Sequence, residues 1–315
     1  MAALEEAGYV FENLAGTSGV AIVAVLLGAS YTAAELKRVL QTLDYNDFKD
    51  EGLLDKLPGE GKALSIGFEY GIYEREFFES WFEDLLHAKR KTAFGDLHSR
   101  FTEEKYRYRV QVIAADITDR TLLVLPGDLK ARFGLDPDEF SISRAVRMSM
   151  SIPLFFEPVR LNDQSGRSHF IVDGGVLSNY PIWLLDDGSN NPEWPTIGFK
   201  LVEPDKRQVK APTRNPINNP LSFLKAIMGT MMAAHDSYHI SRSKGDFDRT
   251  IGIPTTVQYN GFEREVKAID FDITQEEGEA LYQNGYNKGK EFLSTWHFDA
   301  WKKHYRSGAR LTATA

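Results

Sequence analysis

The sequence contains no cysteine. That absence excludes disulfides, thiolate nucleophiles and cysteine-based zinc sites, and it fits a reducing compartment. Long apolar runs are missing too. A membrane-spanning helix needs about 18–20 apolar residues, and the longest run, Val20 to Ala29, reaches only about half of that. The residues ahead of it, Met1-Ala2-Ala3-Leu4-Glu5-Glu6, are acidic where a secretory leader would be basic. A cytoplasmic protein is therefore expected. Positive charge is in deficit, with 37 Lys and Arg against 45 Asp and Glu and a formal net charge of −8. Such a chain has no long-range attraction for nucleic acid or anionic lipid. The best candidate for a local basic patch, His87-Ala88-Lys89-Arg90-Lys91, reads as a solvated helix end whose charge suits the helix dipole. There is no internal repeat and no low-complexity tract.

What is present has ordinary globular composition, 42% hydrophobic and 26% charged over 315 residues. Strand and helix patterns alternate along it. Ala2 to Ala7 resembles the tail of a helix, and Tyr9-Val10-Phe11 with Leu14 suggests a short strand. The run after Gly19 is apolar on all sides, so a helix there must be buried. Thr32-Ala33-Ala34-Glu35 is a capping box opening a helix to about Leu43. Residues 44–71 read as a long loop, and Arg75 to Leu86 as a helix. Arg107 to Ala115 alternates polar and apolar residues as a strand does, and Thr121 to Leu125 suggests another. A helix over Ser141 to Met150 is ended by Pro153, because the residue before proline avoids the helical region. His169 to Val172 and Thr196 to Val202 look like strands, and Asn179 to Ile182 like the start of a helix. Residues 207–220 are rich in Pro and Asn and read as a mobile flap, followed by an amphipathic helix from Leu221 to Ile240 and a last helix from Gln275 to Leu293. The pattern predicts an α/β fold in a single domain over residues 1–315.

Two short motifs carry chemistry. Gly16-Thr17-Ser18-Gly19 stands between an apolar strand and the buried helix, where a sharp turn would push the Ser18 hydroxyl outward as a nucleophile. Its second glycine is Gly19, one place earlier than in Gly-x-Ser-x-Gly, and Val20 adds bulk where the turn should be slim. Taken alone, the tetrapeptide is a weak signal and fits a plain helix N-cap better. Asp173 follows an apolar strand and precedes Gly174-Gly175, glycines that permit a sharp turn and a close backbone approach. It fits a base at the carboxyl end of a strand, though taken alone an Asp-Gly turn fits better.

Taken together, Asn13-Leu14-Ala15-Gly16-Thr17-Ser18, Ser149-Met150-Ser151-Ile152-Pro153-Leu154-Phe155-Phe156-Glu157-Pro158-Val159 and Val172-Asp173-Gly174-Gly175-Val176-Leu177-Ser178-Asn179-Tyr180-Pro181 resemble the bacterial patatin-like phospholipases in residue type, order and spacing. The resemblance implies a three-layer α/β/α fold with a central, mostly parallel sheet. It implies a lipid acyl hydrolase, a phospholipase A-type esterase, with Ser18 as nucleophile and Asp173 as base, an acyl-enzyme intermediate and no cofactor or metal. The substrate so implied is a phospholipid or other acyl-ester lipid, reached by peripheral contact with a membrane. The family also carries a Gly-Gly-Gly-x-[Arg/Lys]-Gly loop, after its first strand, that supplies the oxyanion hole. This sequence begins inside what looks like the following helix and contains neither that strand nor that loop. A second expectation therefore stands beside the first: a catalytically impaired or inactive paralogue, or a truncated form, with a lipid-binding or regulatory role.

Other candidates carry less. His235 and His239 are spaced to share one helix face, but Asp236 replaces the glutamate of a zinc-protease motif and no third ligand is evident, so a polar helix face is expected. Asp116 reads as a turn cap at a strand end. Arg144 and Arg147 read as partners of the chain's own carboxylates or of a lipid phosphate.

Overall fold

The computed structural model describes residues 1–42, 72–154, 156–202, 217–218, 222–223, 226–227, 229–230, 245–259, 261–266 and 273–306. The loop expected over 44–71, His235 and His239, and most of the 207–220 flap and of the helix after it lie outside these residues. No helix among the described residues is long and apolar enough to cross a membrane.

The fold is α/β. In chain order it runs α1 (Ala2–Glu6), β1 (Leu14–Thr17), α2 (Gly19–Gly28), α3 (Ala33–Thr42), α4 (Ile72–Ala88), β2 (Val110–Asp116), β3 (Thr121–Leu125), α5 (Asp128–Phe133), α6 (Ile142–Ser149), β4 (Val159–Asn162) and β5 (Ser168–Asp173). Then come two 3₁₀ turns, Gly174–Val176 and Ile182–Leu185, followed by β6 (Gly198–Val202), β7 (Thr250–Pro254), β8 (Thr256–Tyr259), β9 (Phe262–Glu265), α7 (Gln275–Thr295) and α8 (Phe298–Tyr305). The capping box at Thr32 forms as expected, with Glu35 Oε2 accepting from the Thr32 amide at 2.8 Å. Lys89, at the basic end of α4, is held by Glu35 at 3.0 Å.

The main sheet is built around β2. Val110, Val112 and Ala114 face a core shared with Ala21, Ala24 and Val25 of α2, Phe78, Phe82 and Leu86 of α4, and Ala145 and Val146 of α6. Ala115 faces the other way, onto Val172 and Val176. With both faces covered, all seven residues of β2 are buried, Gln111 included. The polar face suggested by Arg107, Arg109 and Gln111 is therefore not a solvent face: the strand starts at Val110, after both arginines. β1 likewise starts at Leu14, later than Tyr9-Val10-Phe11 suggested, and Val10 is 75% exposed.

Pairing is more mixed than the expected, mostly parallel sheet. β1 and β2 are parallel, while β2–β3, β2–β5 and β4–β5 are antiparallel. For β2–β3 and β4–β5 the cause is local, since the connections 117–120 and 163–167 are too short to make a parallel crossover. A separate pair, β6–β7, is parallel.

The registers position the site. Val112 and Ile113 pair with both β1 and β3, and Ala114 to Asp116 with both β3 and β5. One edge of a strand takes one partner at a given residue, so β1 and β5 share the edge of β2 opposite β3. They run in opposite directions along it. Thr17 pairs with Ile113 and Asp173 with Ala114, so the carboxyl ends of β1 and β5 meet head-on.

The far end of β5 is anchored by a buried histidine. His169 Nδ1 lies 2.7 Å from Asp116 Oδ2, and Nε2 lies 3.4 Å from Asp163 Oδ2. Burial disfavours the charged ring, but the bonds to Asp116 and Asp163 outweigh it, and the pKa of His169 is raised. A histidine with a raised folded-state pKa adds stability that is complete below the unfolded value near 6.5 and fades as pH rises through the folded value. His169→Gln is accordingly expected to lower stability more at pH 5.5 than at pH 9. Urea denaturation of both proteins at the two pH values measures this, and an equal loss at both would contradict it.

Candidate active site

Ser18 stands where β1 breaks into α2. Its backbone adopts φ 56° and ψ −138°, a conformation uncommon for a residue with a side chain. α2 comes back across β1 closely enough that a Cβ on Gly16 would sit 2.7 Å from the Ala21 Cα. Gly16 is therefore required for space. Nothing lies within 4 Å of the corresponding position on Gly19, and Val20 is 46% exposed. The bulk of Val20 projects outward, so the displaced second glycine leaves the turn intact. The amino end of α2 places partial positive charge behind Ser18.

Asp173 ends β5 and is fully buried. Its Oδ1 accepts from the Gly175 amide at 2.7 Å, while Oδ2 is buried without a partner in normal hydrogen-bond geometry. The Ser18 hydroxyl is nonetheless close enough to lower the pKa of this carboxyl. Burial acts first and more strongly, so the net value is raised to about 6. The two groups are thus brought together, with the hydroxyl beside the carboxylate but short of an aligned bond.

Gly174 and Gly175 serve the carboxylate through space rather than through a left-handed backbone. A Cβ on Gly174 would collide with the Ile113 carbonyl, and one on Gly175 would collide with the Asn179 side chain and lie 2.9 Å from Asp173 Oδ1. The helix expected from Asn179 is only the 3₁₀ turn Ile182–Leu185, with Pro181 before it.

Four further contacts lock the pair. The Thr17 hydroxyl donates to the Ser178 carbonyl at 3.1 Å. The Ser18 amide donates to Ser149 Oγ at 2.8 Å, and Ser149 Oγ donates to the Ile113 carbonyl at 2.6 Å. The Asp173 amide donates to the Ser151 carbonyl at 2.9 Å. In the sequence Ser149 and Ser151 fall in one of the three segments that carry the resemblance, but nothing in that segment assigns either a role.

The remaining candidates do other work. Asp116 caps its turn, Oδ1 accepting from the amides of Thr118 and Asp119. Asp116, Asp119 and His169 each offer one ligand atom within 4.8 Å of the others. Both ring nitrogens of His169 already face carboxylates and Arg132 stands beside both aspartates, so the cluster is an ion-pair network. Arg147 is buried on Ser151 Oγ and the Glu157 carbonyl, out of reach of a lipid phosphate. Arg144 is exposed and donates to the Arg160 carbonyl. A cleft lined by Glu83, His87, Thr92, Ala93, Glu139 and Ser141 includes neither Ser18 nor Asp173.

Comparison with known proteins agrees with this architecture. Residues 1–186 match the family model described as patatin-like phospholipase. The chain is 38% identical over 301 residues to YqhO of Bacillus subtilis (strain 168), covering 94% of this chain and 92% of YqhO. It is 22% identical over 284 residues to R571 of Acanthamoeba polyphaga mimivirus, covering 89% and 82% respectively. Among solved structures it resembles VipD from Legionella pneumophila, with a TM-score of 0.51 at 16% identity, covering 93% of this chain and spanning 63% of that one.

The raised pKa of Asp173 has a cost for folding. A carboxyl with a pKa near 6 when folded and about 3.8 when unfolded binds its proton more tightly in the folded state. Stability therefore falls as pH rises from about 4 to 6 and stays lower above, by about 3 kcal/mol. Asp173→Asn is expected to be more stable than the parent at pH 7 by up to about that amount, with the gain vanishing near pH 4. Gly174→Ala should instead cost about 1–3 kcal/mol at every pH, by overpacking against the Ile113 carbonyl. Thermal unfolding of both variants across pH 4–8 tests the two signs together.

Proposed function

The chain belongs to the patatin-like phospholipase family, and from that premise we propose that it is a lipid acyl hydrolase acting through Ser18 and Asp173. The observation that carries the reading is the meeting of a strained serine and a buried, partly unpartnered carboxylate at one point of the sheet.

A serine hydroxyl is a weak nucleophile until a neighbour accepts its proton. Asp173, with a pKa near 6, is mostly ionised at pH 7 yet far more basic than an ordinary aspartate. As Ser18 Oγ attacks the ester carbonyl, its proton passes to Asp173. Collapse of the tetrahedral intermediate breaks the ester C–O bond, and the departing alcohol takes that proton. Water then attacks the acyl-serine, giving a proton to Asp173, which returns it to Ser18 Oγ as the fatty acid leaves. Positive charge at the amino end of α2 favours the negative oxygen that develops beside Ser18. The chemistry calls on no metal or cofactor. The exposed apolar side chains of Val20, Leu154 and Trp183, on segments adjoining the elbow and the base, support an apolar acyl substrate and peripheral contact with a lipid surface.

Hydrolysis of a short-chain nitrophenyl ester, and of phospholipid vesicles, tests this directly. Ser18→Ala and Asp173→Asn are each expected to reduce kcat/KM at least about 10³-fold. The parent's kcat/KM should rise with pH to a plateau with a midpoint near 6, as Asp173 gives up its proton. Turnover unaffected by either substitution would reject the dyad. A folded parent that binds lipid vesicles without turnover would favour a lipid-binding, non-catalytic role instead.

A further inference from the structure

We infer that Ser149 is a positioning residue that holds the nucleophile elbow in its strained shape, an inference that rests on the catalytic reading of Ser18. The Ser149 side chain is fully buried at the end of α6 and makes two bonds through one oxygen. It accepts from the Ser18 amide at 2.8 Å and donates to the Ile113 carbonyl at 2.6 Å. Both partners belong to the place where β1 leaves β2: Ile113 pairs with Thr17, and Ser18 is the next residue. The hydroxyl therefore stands between an amide and a carbonyl that the strand ladder no longer joins.

Three features make this more than a satisfied buried serine. Ser18 has φ 56°, and a conformation of that kind persists only where its surroundings over-determine it. The bond is to the backbone of the nucleophile itself, so it sets the direction in which the hydroxyl leaves the chain. The same segment also holds the base, because the Ser151 carbonyl accepts from the Asp173 amide at 2.9 Å. Nucleophile and base are thus referenced to one three-residue stretch, Ser149-Met150-Ser151. The role needs a donor and an acceptor on one small atom. Alanine supplies neither, and would leave the buried Ile113 carbonyl and the half-buried Ser18 amide without this partner.

The test compares Ser149→Ala with Val146→Ala, a fully buried position on the same helix outside the site that serves as a packing control. Nitrophenyl ester kinetics and amide hydrogen exchange are read well below the unfolding temperature of either variant. Ser149→Ala should lower kcat about 10–100-fold with KM within about threefold, since misplacing a reacting group by a fraction of an ångström costs rate rather than binding. Exchange at the Ser18 amide should quicken by at least about tenfold as its acceptor is lost. Val146→Ala should change neither beyond about threefold. Should Ser149→Ala not fold, Ser149→Cys keeps the volume with a weak bonding group and gives the same readings in reduced degree. Equal kinetics in the alanine pair, or unchanged exchange at Ser18, overturns the inference. If the parent shows no Ser18-dependent turnover, it is the catalytic reading that fails, and the exchange measurement alone decides whether Ser149 holds the elbow.

Discussion

At the Ile113–Ala114 step of β2, two strands arrive from opposite directions on one edge and stop one residue apart. Two chain ends meeting on a strand edge leave a gap in the hydrogen-bond ladder. The amides and carbonyls at that gap are buried and must be satisfied. Ser149 Oγ and the Ser151 carbonyl meet the Ser18 amide, the Ile113 carbonyl and the Asp173 amide there, while the Gly175 amide bonds the Asp173 carboxylate beside them. The site is thus a consequence of how a sheet interruption is repaired. The same constraint accounts for the small residues around it, since Gly16 and Gly174 sit where α2 and the Ile113 carbonyl come too close to admit a side chain.

How much of this the sequence could convey depends on the range of the interaction. Local signals survive intact. The Thr32–Glu35 capping box, the all-round apolar α2 and the strands Thr121–Leu125 and His169–Val172 are each set by residues a few positions apart, and each forms. The Ser18 and Asp173 motifs could be singled out because each sits at an abrupt change from strand to turn. Contacts between distant segments could not be read. Pairing directions depend on connection lengths and on which edges remain open, so a mixed sheet followed where a mostly parallel one was expected. β2 carries Gln111 yet is buried on both faces, because its exposure is decided by elements far along the chain. Ser149 is the sharpest case. Its partners are residues 18 and 113, and nothing in its immediate neighbours reports them.

The glycines of the two motifs show how a correct residue can carry a different reason. Gly19 looked like part of the elbow's clearance, but open space surrounds it and Gly16 bears the constraint. Gly174 and Gly175 looked like a turn opened by backbone freedom. Neither has a positive φ, and both are needed because protein atoms, the Ile113 carbonyl and the Asn179 side chain, occupy the space a Cβ would take. Small size, rather than conformational licence, is what the site selects at these positions.

Asp173 is where stability and chemistry oppose each other. A surface aspartate would cost the fold nothing, but its low pKa would make it a feeble acceptor for a serine proton. Burial raises the pKa to about 6, and so makes the carboxylate more basic, as the proposed role requires. The Gly175 amide holds one oxygen, keeping the group ionisable within the buried setting, while the other oxygen is left without an aligned partner next to Ser18. A second donor on that oxygen would steady the fold and lower the basicity together. On the proposed mechanism, the oxygen without an aligned partner is the one that would take the proton from Ser18. The uncommon backbone at Ser18 stands beside that oxygen, with the Ser18 amide bonded to Ser149 Oγ at 2.8 Å.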